Sequence, residues 1–347
     1  MKFKKCTSLI CAVTAFCLVF SACRMNKKSV AVSSDTVAMG SVVSITSYTY
    51  DEASGRQLNS EIIKQIQALD RLISKNDEAA ELYKLNSTSG EAVTVDKELY
   101  GYIENTVKLF SKSEGKLSAS SGALTELWGI DTDSFRLPTD NEIKNALPLC
   151  NDDLLVLDGG NYSVKLADGQ KLNLGAVGKG IACDKAAEWL TLSSQASQGL
   201  VISVGGSVAV TGSRGDGKPW KIGVRNPFGT QNDYFAKLSI ENNGFVSTSG
   251  SYEKSFEIDG KGYHHILDLT TGYPVETELV GVTVLAPSGF LSDALSTLCF
   301  SLGEEASQKL LSEYSAQAVF VYGDKTVSVT EGLADSLEIT DREFTVK

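Results

Sequence analysis

Positive charge is in short supply in this 347-residue chain. Thirty-two Lys and Arg stand against 43 Asp and Glu, a net charge of -11. That balance argues against a broad basic face, so no nucleic-acid partner is expected. Proline is rare at six, and with 42% apolar and 22% charged residues the composition excludes collagen, coiled coil and general disorder. The seven cysteines include no C-x-x-C pair, so neither a zinc site nor a disulfide framework is expected. Histidine occurs only as His264 and His265. Neighbours in a strand point to opposite faces, so at most one of them serves a given site. There is no nucleophile elbow, no Ser/His/Asp order, no internal repeat and no linker inside 35–340.

The N-terminus reads as a secretory signal. Lys2, Lys4 and Lys5 precede an apolar run, Leu9 to Phe20, that is short for a membrane span. Phe20-Ser-Ala-Cys23 looks like a lipoprotein cleavage site with Phe20 where Leu is usual; ordinary signal cleavage beside a stray cysteine is the alternative. The expectation is a signal over 1–22, lipid on Cys23 and a polar tether over 23–34. The protein would then sit on a bacterial cell membrane, facing outward or into the periplasm. Cys150, Cys183 and Cys299 have apolar neighbours and read as buried small hydrophobes.

From 35 onward, helices mix with strands linked mostly by hairpins, which predicts an α+β domain over 35–340. Alternation over Thr36–Tyr48 predicts a strand with Met39-Gly40 near its start. Apolar spacing predicts helices over Ser60–Ile73 and from Asp96 to about Ser113. Thr139 with Glu142 is a capping box. Strands are expected at Leu154–Leu157, Tyr162–Leu166, Leu200–Val204, Trp220–Val224, Tyr234–Ile240, Gly244–Thr248, Tyr263–Leu269 and Val280–Leu285. Ser249 to Tyr252 reads as a turn. Ser292 or Asp293 is expected to cap an apolar helix through about Ser301, followed by a helix over Glu304–Tyr314 and strands near Val319–Val321 and Thr326–Val329.

Two constellations suggest chemistry. Leu172 to Asp184 carries Gly175, Gly178 and Gly180 around Lys179 at the mouth of a helix. Such a turn is either a phosphate site, through helix amides and Lys179, or a plain tight turn. Asp293 and Thr297 are four apart on one helix face, a hard-oxygen pair suited to Mg²⁺ or Ca²⁺. The alternative is an N-cap Asp and a Thr bonded back to its own helix.

Several short motifs then run in one order: Met39-Gly-Ser41, Leu127-Trp-Gly129, Leu174-Gly-Ala-Val-Gly-Lys-Gly-Ile-Ala-Cys-Asp184, Val204-Gly-Gly206, Val246-Ser-Thr-Ser-Gly250, His265-Ile-Leu-Asp-Leu-Thr-Thr-Gly272 and Asp293-Ala-Leu-Ser-Thr297. Together they resemble the ApbE family of FAD:protein FMN transferases over about residues 35–305. The resemblance implies a mostly antiparallel sheet with packed helices, a T-fold-like single catalytic unit. It also implies FAD as substrate, Mg²⁺, release of AMP, and an acceptor flavoprotein of membrane electron transport. Carried over by motif, Asp293, Thr297 and the Ala176 carbonyl would hold the metal, and Asp293, His265 and Lys179 would be catalytic. Met39, Asn76, Ser118, Ala119, Ser120, Asn173, Lys179, Ser249, His265, Ile266 and Asp268 would face the flavin nucleotide.

Three positions depart from the family pattern: Ser118 and Ser207 stand where acidic or amide residues are frequent, and Asn76 where an aromatic is frequent. Loss of that ring suggests an open pyrophosphate, hence hydrolysis of FAD to FMN and AMP as the alternative to transfer. A lipid-anchored flavin binder without turnover is the further alternative. Self-modification at Ser121-Gly-Ala-Leu124 is not expected, since Ser118 and Leu124 replace the Asp and the last hydroxyl of the acceptor pattern.

Overall fold

A computed structural model describes residues 29–347 apart from 89, 131, 133 and 193–196. The expected signal sequence and Cys23 lie outside the described residues. One nine-stranded sheet organises the molecule, and its strands lie side by side in chain order. They are β1 (Val30–Ala38), β2 (Ser41–Thr49), β3 (Ser197–Val204), β4 (Ser207–Gly212), β5 (Gly244–Gly250), β6 (Leu279–Ala286), β7 (Gln317–Tyr322), β8 (Thr326–Val329) and β9 (Thr345–Val346). Every pairing is antiparallel except β8 with β9. The α+β expectation holds.

The first hairpin corrects the sequence reading twice. The strand expected over 36–48 is two strands, and Met39-Gly40 is the turn between them. Both residues have positive φ, 56° and 63°, the left-handed pair that a two-residue hairpin turn requires. Val30–Ser34, read as tether, belongs to β1. Its polarity hid this, because within 30–34 only Val32 is buried.

One face of the sheet is covered by α1 (Glu52–Ile73), α3 (Gly178–Leu192), α4 (Gly289–Leu302) and α5 (Glu304–Glu313), with α2 (Lys97–Phe110) packed against α4 in the same core. Leu58, Ile62, Ile66, Leu69 and Ile73 form the buried stripe of α1. Asp96 caps α2, and the Thr139–Glu142 capping box is present. On the opposite face, Trp220, Phe235 and Leu238 from a three-stranded sheet make a second core. A third centres on Trp128, whose indole donates to the Gly272 carbonyl at 2.9 Å, joining two of the motifs. The three cysteines are buried and unpaired. Burial pushes the Cys150 thiol up to about 11 and that of Cys299 up to about 12, so both stay protonated and inert.

Four long excursions interrupt the sheet, over 50–196, 213–243, 251–278 and 287–316, and the first and third supply most of the site. Residues 50–196 join β2 to β3, and residues 251–278 join β5 to β6. Residues of both line one cavity together with Asp293 and Thr297 of α4. Among the described residues, no helix is long and apolar enough to cross a membrane.

Candidate active site

The glycines of the 172–184 stretch bring two helices together. A Cβ on Gly180 would lie 2.0 Å from the Gly289 carbonyl oxygen, and one on Gly289 would lie 2.1 Å from that of Gly180. The N-terminus of α3 therefore touches that of α4 backbone to backbone. Each helix also supplies a carboxylate to the other. Asp184 of α3 accepts from Gly289 N at 2.6 Å and Phe290 N at 2.8 Å. Asp293 of α4 accepts from Gly180 N at 2.9 Å. The anion expected at this helix mouth is thus a side chain of the chain itself, placed where orphan amides and the helix dipole favour it.

Asp293 is not the N-cap that the sequence suggested. Ser288 caps α4, its hydroxyl accepting from Leu291 N, and Asp293 falls one turn inside. Its second oxygen accepts from Ser207 Oγ at 3.1 Å. So the serine at the departed position hydrogen-bonds the carboxylate. Behind it run Ser247, which donates to Ser207 at 3.0 Å, and Ser292, 2.9 Å from Ser247. Burial raises the Asp293 carboxyl above the usual carboxylate range, opposed by the Lys179 charge and by the hydrogen bonds from Gly180 and Ser207.

The Gly180 amide also bears on Ala176. In a continued helix it would close onto the carbonyl four residues earlier, that of Ala176. Helix α3 begins at Gly178, however, so Gly180 N is a first-turn amide that Asp293 satisfies, and Ala176 precedes the helix with its carbonyl outside the ladder. Ala176, Asp293 and Thr297 line one cavity. The Thr297 hydroxyl lies 3.1 Å from Ser249 Oγ and 3.4 Å from the Asp293 carbonyl, so the back-bonding considered for it is present but long. Ser249 lies in β5 rather than in a turn. A carboxylate, a hydroxyl and a carbonyl are hard oxygen donors that suit Mg²⁺. No cluster of three His, Cys, Asp or Glu able to hold a metal occurs among the described residues.

Lys179, Asn173, Ser249, His265, Ile266 and Ser118 line the same cavity. Met39 and Asn76 line a second, which shares Asn173, Gly175, Lys179 and Lys254 with the first. Asp70 on α1 fixes Met39 by accepting from its amide at 2.9 Å. Asn76 is exposed on the rim, and the aromatic on that wall is Phe135, from the 128–139 segment.

Three expected contacts fail. Ala119 and Ser120 are fully buried and line neither cavity. Asp152 gathers that corner: it accepts from Ser118 Oγ and Ser120 Oγ at 2.7 Å, Ala119 N at 3.0 Å and Ser120 N at 2.9 Å. A carboxylate thus serves the Ser118 position, but from 34 residues away. Asp268 also lines neither cavity. It closes its own loop by accepting from Thr270 N and Oγ1, with Lys116 Nζ at 3.4 Å.

The histidines divide. The strand expected over 263–269 breaks into Lys261–His264 and Leu267–Asp268. His264 accepts from Ile266 N at Nδ1, and its Nε2 donates to the Val275 carbonyl at 3.1 Å, a structural role. Burial holds its pKa below the ordinary histidine value. His265 Nδ1 meets the Glu253 carbonyl at 3.0 Å. A carbonyl only accepts, so Nδ1 carries the proton, and Nε2 is the basic nitrogen of the neutral ring.

Sequence reasoning missed Asp152, Phe135, Glu253 and Lys254. The last two follow the hydroxyl-rich 247–251 run, where adjacent unlike charges were the only available signal.

Fold and site together define an α+β protein with a buried carboxylate between two helix mouths, opening on paired cavities. A sequence model of the ApbE family matches residues 39–320, and the chain belongs to that family. It is 34% identical over 303 residues to the FAD:protein FMN transferase of Treponema pallidum, covering 83% of each chain. It is 31% identical over 294 residues to one from Klebsiella pneumoniae, covering 84% of this chain and 89% of that one. The crystal structure of the ApbE protein of Thermotoga maritima superposes with a TM-score of 0.79 at 28% identity, over 88% of this chain and 99% of that one.

Proposed function

We propose that the two joined cavities bind FAD and that Asp293, Thr297 and the Ala176 carbonyl hold Mg²⁺ beside its diphosphate. The chain is a flavin transferase of its family, moving FMN from FAD to a protein. In the finer reading, a Thr or Ser hydroxyl of the acceptor attacks the flavin-side phosphorus. A new P–O bond forms, the bond to the AMP oxygen breaks, and AMP leaves. Such a transfer depends on positioning and charge neutralisation rather than on covalent help from the enzyme. His265 Nε2 is the base placed to take the hydroxyl proton. Lys179 stands between the cavities, where the diphosphate would cross. Bound Mg²⁺ would supply the remaining neutralisation of the phosphate oxygens. The observation that carries this reading is that Ala176, the buried Asp293 and Thr297 line one cavity with Lys179, because a plain flavin carrier has no use for a buried carboxylate there.

One observation favours hydrolysis as a second reading: Asn76 leaves its rim exposed to water. The two are separated by incubating the protein with FAD, titrating Mg²⁺, with and without a candidate acceptor. Transfer predicts covalent flavin on the acceptor and AMP release that rises with it. Rapid AMP release with no flavin on any acceptor supports hydrolysis, and no Mg²⁺-dependent release supports a carrier.

The acceptor in this reading is a flavoprotein of membrane electron transport, reached from a lipid anchor at Cys23. In a bacterial expression host, Cys23→Ser is expected to abolish labelling by radioactive palmitate and to move the protein to the soluble fraction. Unchanged labelling would sink the anchor.

A further inference from the structure

We infer that Lys254 is a second cation for the diphosphate of the substrate, working across the cavity waist from Lys179. This rests on the reading that FAD is the substrate. The two halves of a dinucleotide share only the diphosphate that joins them. Residues common to both cavities therefore flank that diphosphate, and Lys254 is one of only a few that are. The charge balance points the same way. The first cavity is lined by Asp293 and Glu253 against Lys179 and Lys254. Lys179 already acts on Asp293, lowering the pKa that burial raises. Beside the metal of that reading, a dianion brought to these carboxylates is further stabilised by each cation lining the cavity, and Lys254 is the second lysine there.

The backbone is built to place this residue. Lys254 has a φ of 43°, a left-handed conformation that a lysine seldom adopts. Its neighbours are anchored: the Arg225 guanidinium stacks 4.8 Å over the Tyr252 ring and lies 4.0 Å from the Glu253 carboxylate, and the Glu253 carbonyl holds His265. Lys254 stands directly before the strand Ser255–Ile258. The strained turn is thus clamped on both sides, which holds Lys254 where the two cavities join.

The test compares Lys254→Met, Lys254→Arg and Lys254→Gly. It uses calorimetric affinities for ADP and adenosine, the KM for FAD, and Tm. ADP carries a diphosphate and adenosine does not. Lys254→Met should weaken ADP and raise the KM by about tenfold, the size of one charged hydrogen bond, with adenosine unchanged within about twofold. Lys254→Arg should stay within about threefold of wild type. Lys254→Gly should match the Met loss with Tm at or above wild type, since glycine relieves the left-handed strain while removing the charge. Unchanged ADP affinity in the Met variant, an equal loss for adenosine, or a lowered Tm in the Gly variant overturns the inference. Failure of the transferase reading is separate: wild type would then release no AMP from FAD, while the ADP and adenosine affinities still report on Lys254.

Discussion

Asp293→Asn is expected to reduce Mg²⁺-dependent AMP release from FAD by about a thousandfold or more, the scale seen when a key electrostatic group is removed from an active site. The fold should survive. The amide oxygen can still accept from Gly180 N, and the amide nitrogen can donate to Ser207, which sits 3.1 Å from the present carboxylate. In the absence of metal the variant should be as stable as wild type or more so. Asp293 is 3% exposed, and neutralising it removes the cost of a desolvated charge. The signature is therefore paired. Wild type gains thermal stability on adding Mg²⁺, by about 2.7 kcal/mol at a hundredfold excess over Kd, and the variant gains nothing. A variant that keeps Mg²⁺-dependent turnover within about tenfold of wild type would remove Asp293 from the metal site.

Gly180→Ala should be severely damaging to both stability and activity. The added carbon would lie 2.0 Å from the Gly289 oxygen, 2.5 Å from its carbonyl carbon and 2.7 Å from the Asp293 Cβ. Backbone on both sides leaves no flexible chain end to move aside, so the two helix mouths must part. Overpacking of this kind costs about 3 kcal/mol. The same movement breaks the Gly180–Asp293 hydrogen bond and shifts Ala176 and Asp293 relative to each other. Activity should therefore fall below detection, with a clear drop in Tm. Gly40→Ala is the control. That glycine also has a positive φ, 63°, but no atom lies within 4 Å of its added carbon. It should cost about 1 kcal/mol of stability through backbone strain alone. Equal Tm in the Gly180 variant and wild type would show that the helices do not meet as described.

Those two experiments probe features of different legibility. The Asp293–Thr297 pair could be read from spacing, because i and i+4 share a helix face whatever the helix packs against. The capping box at Thr139 and the apolar stripe of α1 were legible for the same reason: their partners are within a few residues. The role of Asp293 was not. Its partners Gly180 and Ser207 are 113 and 86 residues away, and an Asp near an expected helix start reads by default as a cap. Ser118, Ala119 and Ser120 were expected at the nucleotide from the family resemblance. What reaches that corner is Asp152, and Ala119 and Ser120 line neither cavity.

The sequence by itself determined the α+β class, most of the helices and strands, the inertness of the cysteines, and a set of motifs whose order marks the family. These depend on local periodicity, capping chemistry and composition, all short-range. Only the tertiary structure decided that the glycine-rich turn receives a carboxylate from its own chain, that Ala176 lines the same cavity as Asp293 and Thr297, that His265 rather than His264 lines that cavity, and that Lys254 joins Lys179 where the two cavities meet. The physical reason lies in the chain-order sheet. It sets β2 beside β3 across an excursion over 50–196, and β5 beside β6 across one over 251–278. The groups that meet above it are brought together by strand pairing and helix crossing, for which no local pattern in the sequence carries a signal.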